Sequence, residues 1–388
     1  MGTSASRALP VACAAALCAV AWLGINVAFN YGGSVSGLFW TGAQVPLPES
    51  LSSHTRRVAD AVGFDGEYYH LVAHDPLMRR GFLPYLDNPS LRWRRIGLPG
   101  LAWLLAGGSD WYVDLAYVGI QVVFVFLGAF WLGRYAQSHG ATALWGLAFL
   151  AVPGVAVSLD RMTVDLPLAA LTIGLVLYGE GEVRPRRLFY VLLCAAPLVR
   201  ETGMVLLVAW CLYCALRRDW RAMAAGAACA IPAVAWWTYV RFETAADRLP
   251  WLAPIPFGGI VRQTFETLGI ALRPAASLWL RAAAVLEVPA LAGMWVALLF
   301  LFYLVWRRCW GLIEVSVIVF AAFACMLGLD VWNSAYGTGR TMSPLLVLLG
   351  LFALRERRAV FALPILLVLP RIALQYEAQL RGAVRGRL

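Results

Sequence analysis

Apolar runs recur along the whole chain, and the polar residues between them alternate between short arginine-rich turns and longer mixed loops. The runs cover 8–29, 112–133, 141–158, 164–179, 222–240, 284–306, 311–329, 341–354 and 359–376. Most approach the ~20 apolar residues a helix needs to cross a bilayer. Two segments break the pattern. Ile96 to Ala106 is apolar, but ~11 residues reach only about 16 Å as a helix, so it predicts an interfacial or re-entrant helix. Leu188 to Leu216 is bounded by arginines and interrupted by Pro197 and the tetrad Arg200, Glu201, Thr202, Gly203. Two passes of ~12 to 14 residues reach about 20 Å, which sets the turn at membrane depth, lining a cavity. With that hairpin, the pattern predicts an all-α, polytopic helical bundle of about eleven transmembrane helices in a single membrane domain.

Orientation follows from the arginines. Groups at Arg184/Arg186/Arg187, Arg217/Arg218/Arg221, Arg307/Arg308 and Arg355/Arg357/Arg358 occupy short connections and are expected in the cytoplasm. The first helix then runs outward and is read as uncleaved, because no small-x-small cleavage site follows its apolar run. The long connections fall outside: a first outer loop over 30–111 carrying short interfacial helices, and a second over 241–283. The outer side also receives the turn Asp160 to Asp165, the hairpin turn at Arg200, the segment Asp330 to Arg340, and the C-terminal tail with Arg381, Arg385 and Arg387.

Composition agrees with a membrane protein. The chain is 61% hydrophobic and 14% charged with a mean hydropathy of +0.71, whereas a soluble domain carries about a quarter charged residues. All 32 basic residues are arginine, so arginine identity alone does not mark a phosphate clamp. The net charge of +10 is accounted for by the cytoplasmic turns, and nucleic acid is not an expected partner. The cysteines sit mainly in apolar runs and form no zinc or disulfide pattern.

Gly63 to Arg95 is the longest polar interval and holds the densest chemistry. Asp65 and Glu67 are two apart, sharing a face on an extended segment but diverging by about 200° on a helix. Tyr68 and Tyr69 can stack on a sugar ring or serve as interfacial aromatics. His70 and His74 are one helical turn apart with Asp75 adjacent; without an HExxH pattern they read as an amphipathic surface helix showing two histidines to water, and no metal or other cofactor is indicated, although this loop alone has the oxygen donors for one. Asp87-Asn88-Pro89 is a turn that starts the segment ending in Arg92, Arg94 and Arg95. Arginines on the outer side run against the positive-inside rule, which points at least one of them to a phosphate. Arg200 is the sharper phosphate candidate, with Glu201 as its partner at membrane depth. Arg340 follows Tyr336-Gly337-Thr338-Gly339, whose glycines let backbone approach an anion; Arg161, flanked by Asp160 and Asp165, is a further candidate. Trp251 to Gly259 is an apolar outer stretch suited to a lipid tail or the bilayer.

The order of these features resembles the GT-C superfamily of membrane glycosyltransferases. FDGEYYHLVAHDP at 64–76 is similar in place and type to that superfamily's first-loop acidic motif, and LVRETGMVL at 198–206 to its buried basic turn. Together with LDNPSLRWRRIGLPGLAWLLA and YGTGRTMSPLL, these stretches resemble bacterial membrane proteins named for cell-surface glycopolymer formation, over most of the chain. The resemblance implies transfer of a sugar from a polyprenyl-phosphate donor to a glycan or lipid acceptor of the cell envelope, at the outer face of a bacterial inner membrane. It implies Asp65 as general base with Glu67 as second choice, and binding roles for Arg200, Glu201, Arg340, Arg94, Arg95, Tyr68, Tyr69 and Asp75, with Arg161 added from its own flanking carboxylates. The competing readings are a transporter or flippase for lipid-linked saccharides, against which the chain shows no internal inverted repeat, and a non-catalytic assembly partner.

Overall fold

The computed structural model describes residues 2–58, 62–180, 186–245, 252–273 and 277–385. Arg184 of the first arginine group, Trp251 of the outer apolar stretch and Arg387 of the tail lie outside the described residues. Among the described residues the fold is all-α apart from a minimal parallel pair, β1 (Thr41–Gly42) and β2 (Arg57–Val58).

The first helix, α1 (Gly2–Ile25), ends in a π-helical turn over Asn26–Asn30. The loop after it carries α2 (Glu49–Ser52), α3 (Asp65–His74), α4 (Pro89–Arg94) and α5 (Gly97–Leu105). Asn88 caps α4 by accepting from the Leu91 amide at 3.0 Å, and Pro89 occupies the first turn, where a missing N–H costs nothing. The short apolar piece α5 stays a helix of 9 residues, too short to cross.

The long α6 (Asp110–Ser138) leads into a 3-10 stretch at Ala143–Ala151 and α7 (Pro153–Arg161), which meet at a 58° bend. At the centre lies α8 (Asp165–Glu180), buried from Asp165 through Val176. An apolar surface on every side is what a helix enclosed by other helices requires. The predicted hairpin is present as α9 (Arg186–Val199) and α10 (Gly203–Leu216). Gly203 permits it, because a Cβ there would stand 2.2 Å from the Ala196 carbonyl.

The remainder comprises α11 (Trp220–Ala228), α12 (Ile231–Glu243), the amphipathic α13 (Gly258–Ala271) in the second loop, α14 (Leu278–Arg307), α15 (Leu312–Cys325) and α16 (Leu329–Trp332). Then α17 (Ala335–Thr341) and α18 (Ser343–Glu356) meet at a 65° bend, and α19 (Leu363–Leu374) and α20 (Glu377–Arg385) close the chain. The amide side chain of Asn30 donates to the Gln379 carbonyl at 3.0 Å, so α20 packs at the end of the bundle where the first loop begins.

Among the described residues, five helices are long and apolar enough to cross a membrane, or up to seven if each bent pair is one span. The chain therefore reads as a helical membrane protein, with fewer full-length spans than the about eleven the apolar pattern predicts. The difference lies in α8, α9, α10 and α15, of 14 to 16 residues each. They reach about 21–24 Å; α8 is enclosed by the bundle, whereas α9 and α10 keep apolar residues such as Val191 and Val208 exposed.

One contact fixes the acidic motif against the bundle. The first turn of α3 presses on the last turn of α7, and a Cβ at Gly66 would stand 2.1 Å from the Arg161 carbonyl oxygen and 2.7 Å from that of Phe39. Gly66→Ala is expected to destabilise the fold by about 1–3 kcal/mol through overpacking. Chemical unfolding in mixed micelles measures it, and an unchanged midpoint would show that this contact does not constrain α3.

Candidate functional site

A cavity of about 500 Å³ opens at the end of the bundle where the first loop, the α9–α10 turn and α16–α17 meet. Its charged wall comprises Asp65, Asp87, Arg92, Arg95, Arg200, Glu201, Asp330 and Arg340, while Phe64, Leu91, Phe323, Leu327 and Val331 supply an apolar one.

Asp65 is the first residue of α3. One carboxylate oxygen accepts from Arg92 Nη2 at 2.8 Å and the other from Arg340 Nη2. Burial pushes its carboxyl up, but Arg340, Arg92 and Arg95 outweigh burial and hold it well below the usual carboxylate range. Arg92 is shared: it also grips Asp87 with Nε at 2.8 Å and Nη2 at 2.6 Å, and lies 4.7 Å over the Tyr68 ring. Arg95 takes Glu201 in a two-pronged pair at 2.7 and 2.6 Å, and donates to the Tyr69 hydroxyl.

Arg200 keeps only a loose ion pair with Glu201, the partner the neighbouring positions suggested. Their closest approach is 3.8 Å, because Arg95 already occupies that carboxylate. Its tighter partner is the buried Asp165 at the start of α8, and it also donates to Thr341 Oγ1 at 2.8 Å. Asp165 also accepts from Thr163 Oγ1 at 2.7 Å. The Arg340 side chain lies 5.1 Å over Phe64, with Nε 3.9 Å from Asp165.

Four buried donors and hydroxyls around this cavity are unmatched. Arg340 Nε and Nη1, Arg200 Nε and Thr202 Oγ1 have no hydrogen-bond partner. A buried guanidinium N–H without an acceptor is costly, and an anion with several oxygens entering the cavity would satisfy such groups together.

The other sequence-derived candidates fall around the cavity or away from it. Glu67 does not line it. On a helix it points away from Asp65, and its Oε2 accepts from the Gly42 amide at 3.1 Å. Burial, opposed by the donors Gly42 and Tyr68, pushes the Glu67 carboxyl up. Asp75 accepts from the backbone amides of Arg79 and Arg80 at 2.8 and 2.9 Å, closing the turn after α3. Arg94 reaches Ser90 Oγ at 2.7 Å and is not part of the wall. Arg161 stacks over Trp40 at 3.4 Å beside Asp160, whose carboxylate receives the hydroxyl of the cavity residue Tyr336 at 2.8 Å. It stands one layer behind the wall.

Arg92 and Asp165 are the site residues that sequence reasoning undervalued. A helical reading of 89–95 carries the signal for Arg92, since positions three apart share a face and Arg92 and Arg95 are three apart. No local signal identifies Asp165 as the partner of Arg200.

The histidines also differ from expectation. His70 and His74 are buried, 2% exposed each, rather than facing water. The face of α3 that carries them packs on α6, where His70 Nε2 lies 3.0 Å and His74 Nε2 3.3 Å from Asp114 Oδ1. Among the described residues, His70, His74 and Asp114 are the one cluster whose ligand atoms converge closely enough to hold a metal ion.

Comparison of the chain with protein-family models, curated proteins and solved structures returned no match.

Proposed function

We propose that the protein is a glycosyltransferase that moves a sugar from a polyprenyl-phosphate donor to a glycan or lipid acceptor of the bacterial cell envelope. The observation that carries this reading is the cavity in which unmatched arginine donors surround Asp65 beside an apolar wall. An anionic head joined to a hydrocarbon tail answers both halves of that wall. The membrane-depth turn at Arg200 lets the head enter without leaving the bilayer.

The resting ion pairs support an order of events. The donor phosphate takes the open valences of Arg340 and Arg200 and competes with Asp65 for Arg340 and Arg92. As those guanidiniums turn to the phosphate, the Asp65 carboxylate loses the charges that make it a weak base. The acceptor hydroxyl oxygen then attacks the anomeric carbon, and the bond from that carbon to the phosphate oxygen breaks. Polyprenyl phosphate leaves with the electron pair, and the hydroxyl proton passes to Asp65. The arginines stabilise the phosphate as its charge grows. Glu67 holds the Gly42 loop against α3 and so positions Asp65 rather than acting as the base.

Orientation is part of the proposal. Arg357 donates to the His139 carbonyl beyond the C-terminal end of α6, whereas Asp110 at the other end of α6 pairs with His74 of α3. A helix of 29 residues separates the two by about 43 Å. With the arginine-rich turns in the cytoplasm, the cavity opens to the outer face of the inner membrane. The short helices complete the about eleven passes as partial crossings.

The test is purified full-length protein in nanodiscs given polyprenyl-phosphate sugar labelled in the sugar. Release of polyprenyl phosphate with label appearing in the acceptor is the expected result. Binding of the lipid without turnover, in the presence of envelope acceptors, would remove the enzymatic reading and favour a lipid-saccharide carrier.

A further inference from the structure

The cluster behind the cavity has no part in the transfer reaction. His70 Nε2 and His74 Nε2 converge on a single oxygen, Asp114 Oδ1, at 3.0 and 3.3 Å. The three ligand atoms lie within 4.8 Å of one another. One carboxylate oxygen can accept from both imidazoles through its two lone pairs, but the same convergence also places three ligand atoms around one point. Ligands of one metal ion must crowd in this way. Bonds of about 2.0–2.1 Å to a tetrahedral ion set neighbouring ligand atoms about 3.3 Å apart.

The surroundings supply the outer shell for His74, while His70 Nδ1 is buried without a hydrogen-bond partner. His74 Nδ1 pairs with Asp110 Oδ1 at 2.7 Å, which leaves Nε2 as the coordinating nitrogen. A metal-bound histidine held from behind by a carboxylate is the usual outer-shell arrangement. Asp110 is itself fixed by Arg80, whose Nη1 and Nη2 donate at 2.6 and 2.9 Å, and Arg80 Nη1 also reaches the His74 carbonyl at 3.0 Å. The two rings stand edge to face with centroids 4.7 Å apart, so neither can swing away without disturbing the other.

We propose that His70, His74 and Asp114 form a binding site for Zn²⁺ or another late first-row divalent ion. Two imidazoles and one carboxylate suit such an ion, and favour it over Mg²⁺ or Ca²⁺, which take all-oxygen sets. The ion ties α3 to α6. Since Asp65 begins α3, the site acts as a staple that fixes the position of the acidic motif from outside the cavity. The inference does not rest on the transfer reaction.

The full-length protein in nanodiscs, stripped with chelator and dialysed against Zn²⁺, is expected to retain one equivalent. Loading with Co²⁺ is expected to give the strong visible bands of a low-symmetry four- or five-coordinate ion. His74→Ala and Asp114→Asn are expected to abolish stoichiometric binding. Asp110→Asn, which removes only the outer carboxylate, is expected to weaken binding by about 10–100-fold. His139→Ala, outside the cluster, serves as the control with binding unchanged. Less than about a tenth of an equivalent in the wild type, or variants that bind like the wild type, overturns the proposal. Should the alanine variant not fold, the Co²⁺ spectrum of the wild type decides alone: bands of weak octahedral character would mean adventitious metal.

Discussion

Asp65→Asn is expected to lower the transfer rate by about 10²–10⁴-fold while leaving donor affinity unchanged or tighter. The loss in rate follows from removing the one carboxylate of the acidic motif that reaches the cavity. The gain in affinity follows from the ion pairs. In the resting protein Asp65 holds Arg92 and Arg340, the same groups a phosphate would recruit. Asparagine is close in shape and accepts a hydrogen bond, but it brings no charge to compete with the phosphate. A purely structural Asp65 predicts the opposite pattern, with weaker binding and lower stability together. Single-turnover rates and donor affinity measured on the same nanodisc preparation separate the two, and full turnover by Asp65→Asn would sink the assignment. Glu67→Gln serves as the internal comparison. It keeps an acceptor for the Gly42 amide, so it is expected to retain most of the rate.

That contrast between Asp65 and Glu67 shows how far the chain can be read before it is folded. Residues that violate the apolar background are conspicuous, which is why Asp65, Arg200 and Arg340 stand out and why the structure gathers all three around one cavity. Within each polar stretch, the local conformation decides which neighbour takes part. Because α3 starts at Asp65 itself, a spacing of two turns Glu67 away. Because 89–94 is helical, Arg92 and Arg95 face the cavity and Arg94 does not. Partners distant in the chain are not legible at all. Arg200 touches Glu201 only loosely and pairs more tightly with Asp165, and Glu201 is gripped by Arg95 from the first loop. His70 and His74 looked like surface residues because their covering element, α6, begins some forty positions later. Apolar runs and full-length spans differ in number for a related reason. Hydropathy reports that a helix avoids water, but α8 avoids it by sitting inside the bundle.

The Arg200–Asp165 pair gives the largest expected effect on stability. Both side chains are buried, at 5% and 2% exposure, and they join the α9–α10 turn to the start of α8. Arg200→Met leaves Asp165 charged and enclosed, with Thr163 and a distant Arg340 as its polar neighbours. Breaking one side of such a pair costs about 3–5 kcal/mol. The double variant Arg200→Met, Asp165→Leu removes both charges and fills the space, so most of that loss is expected to return, as replacement of a whole buried pair is often neutral. Chemical unfolding in mixed micelles measures both variants. The same pair of proteins also separates holding the fold from holding a substrate. If Arg200 served only to neutralise Asp165, the double variant would bind donor lipid like the wild type. With Arg200 Nε directed to a phosphate, the double variant is expected to be stable yet bind the donor at least about tenfold more weakly, a loss of one charge-assisted hydrogen bond. Recovery of stability without recovery of binding is the outcome that assigns Arg200 to the anion, and recovery of both would confine it to the core.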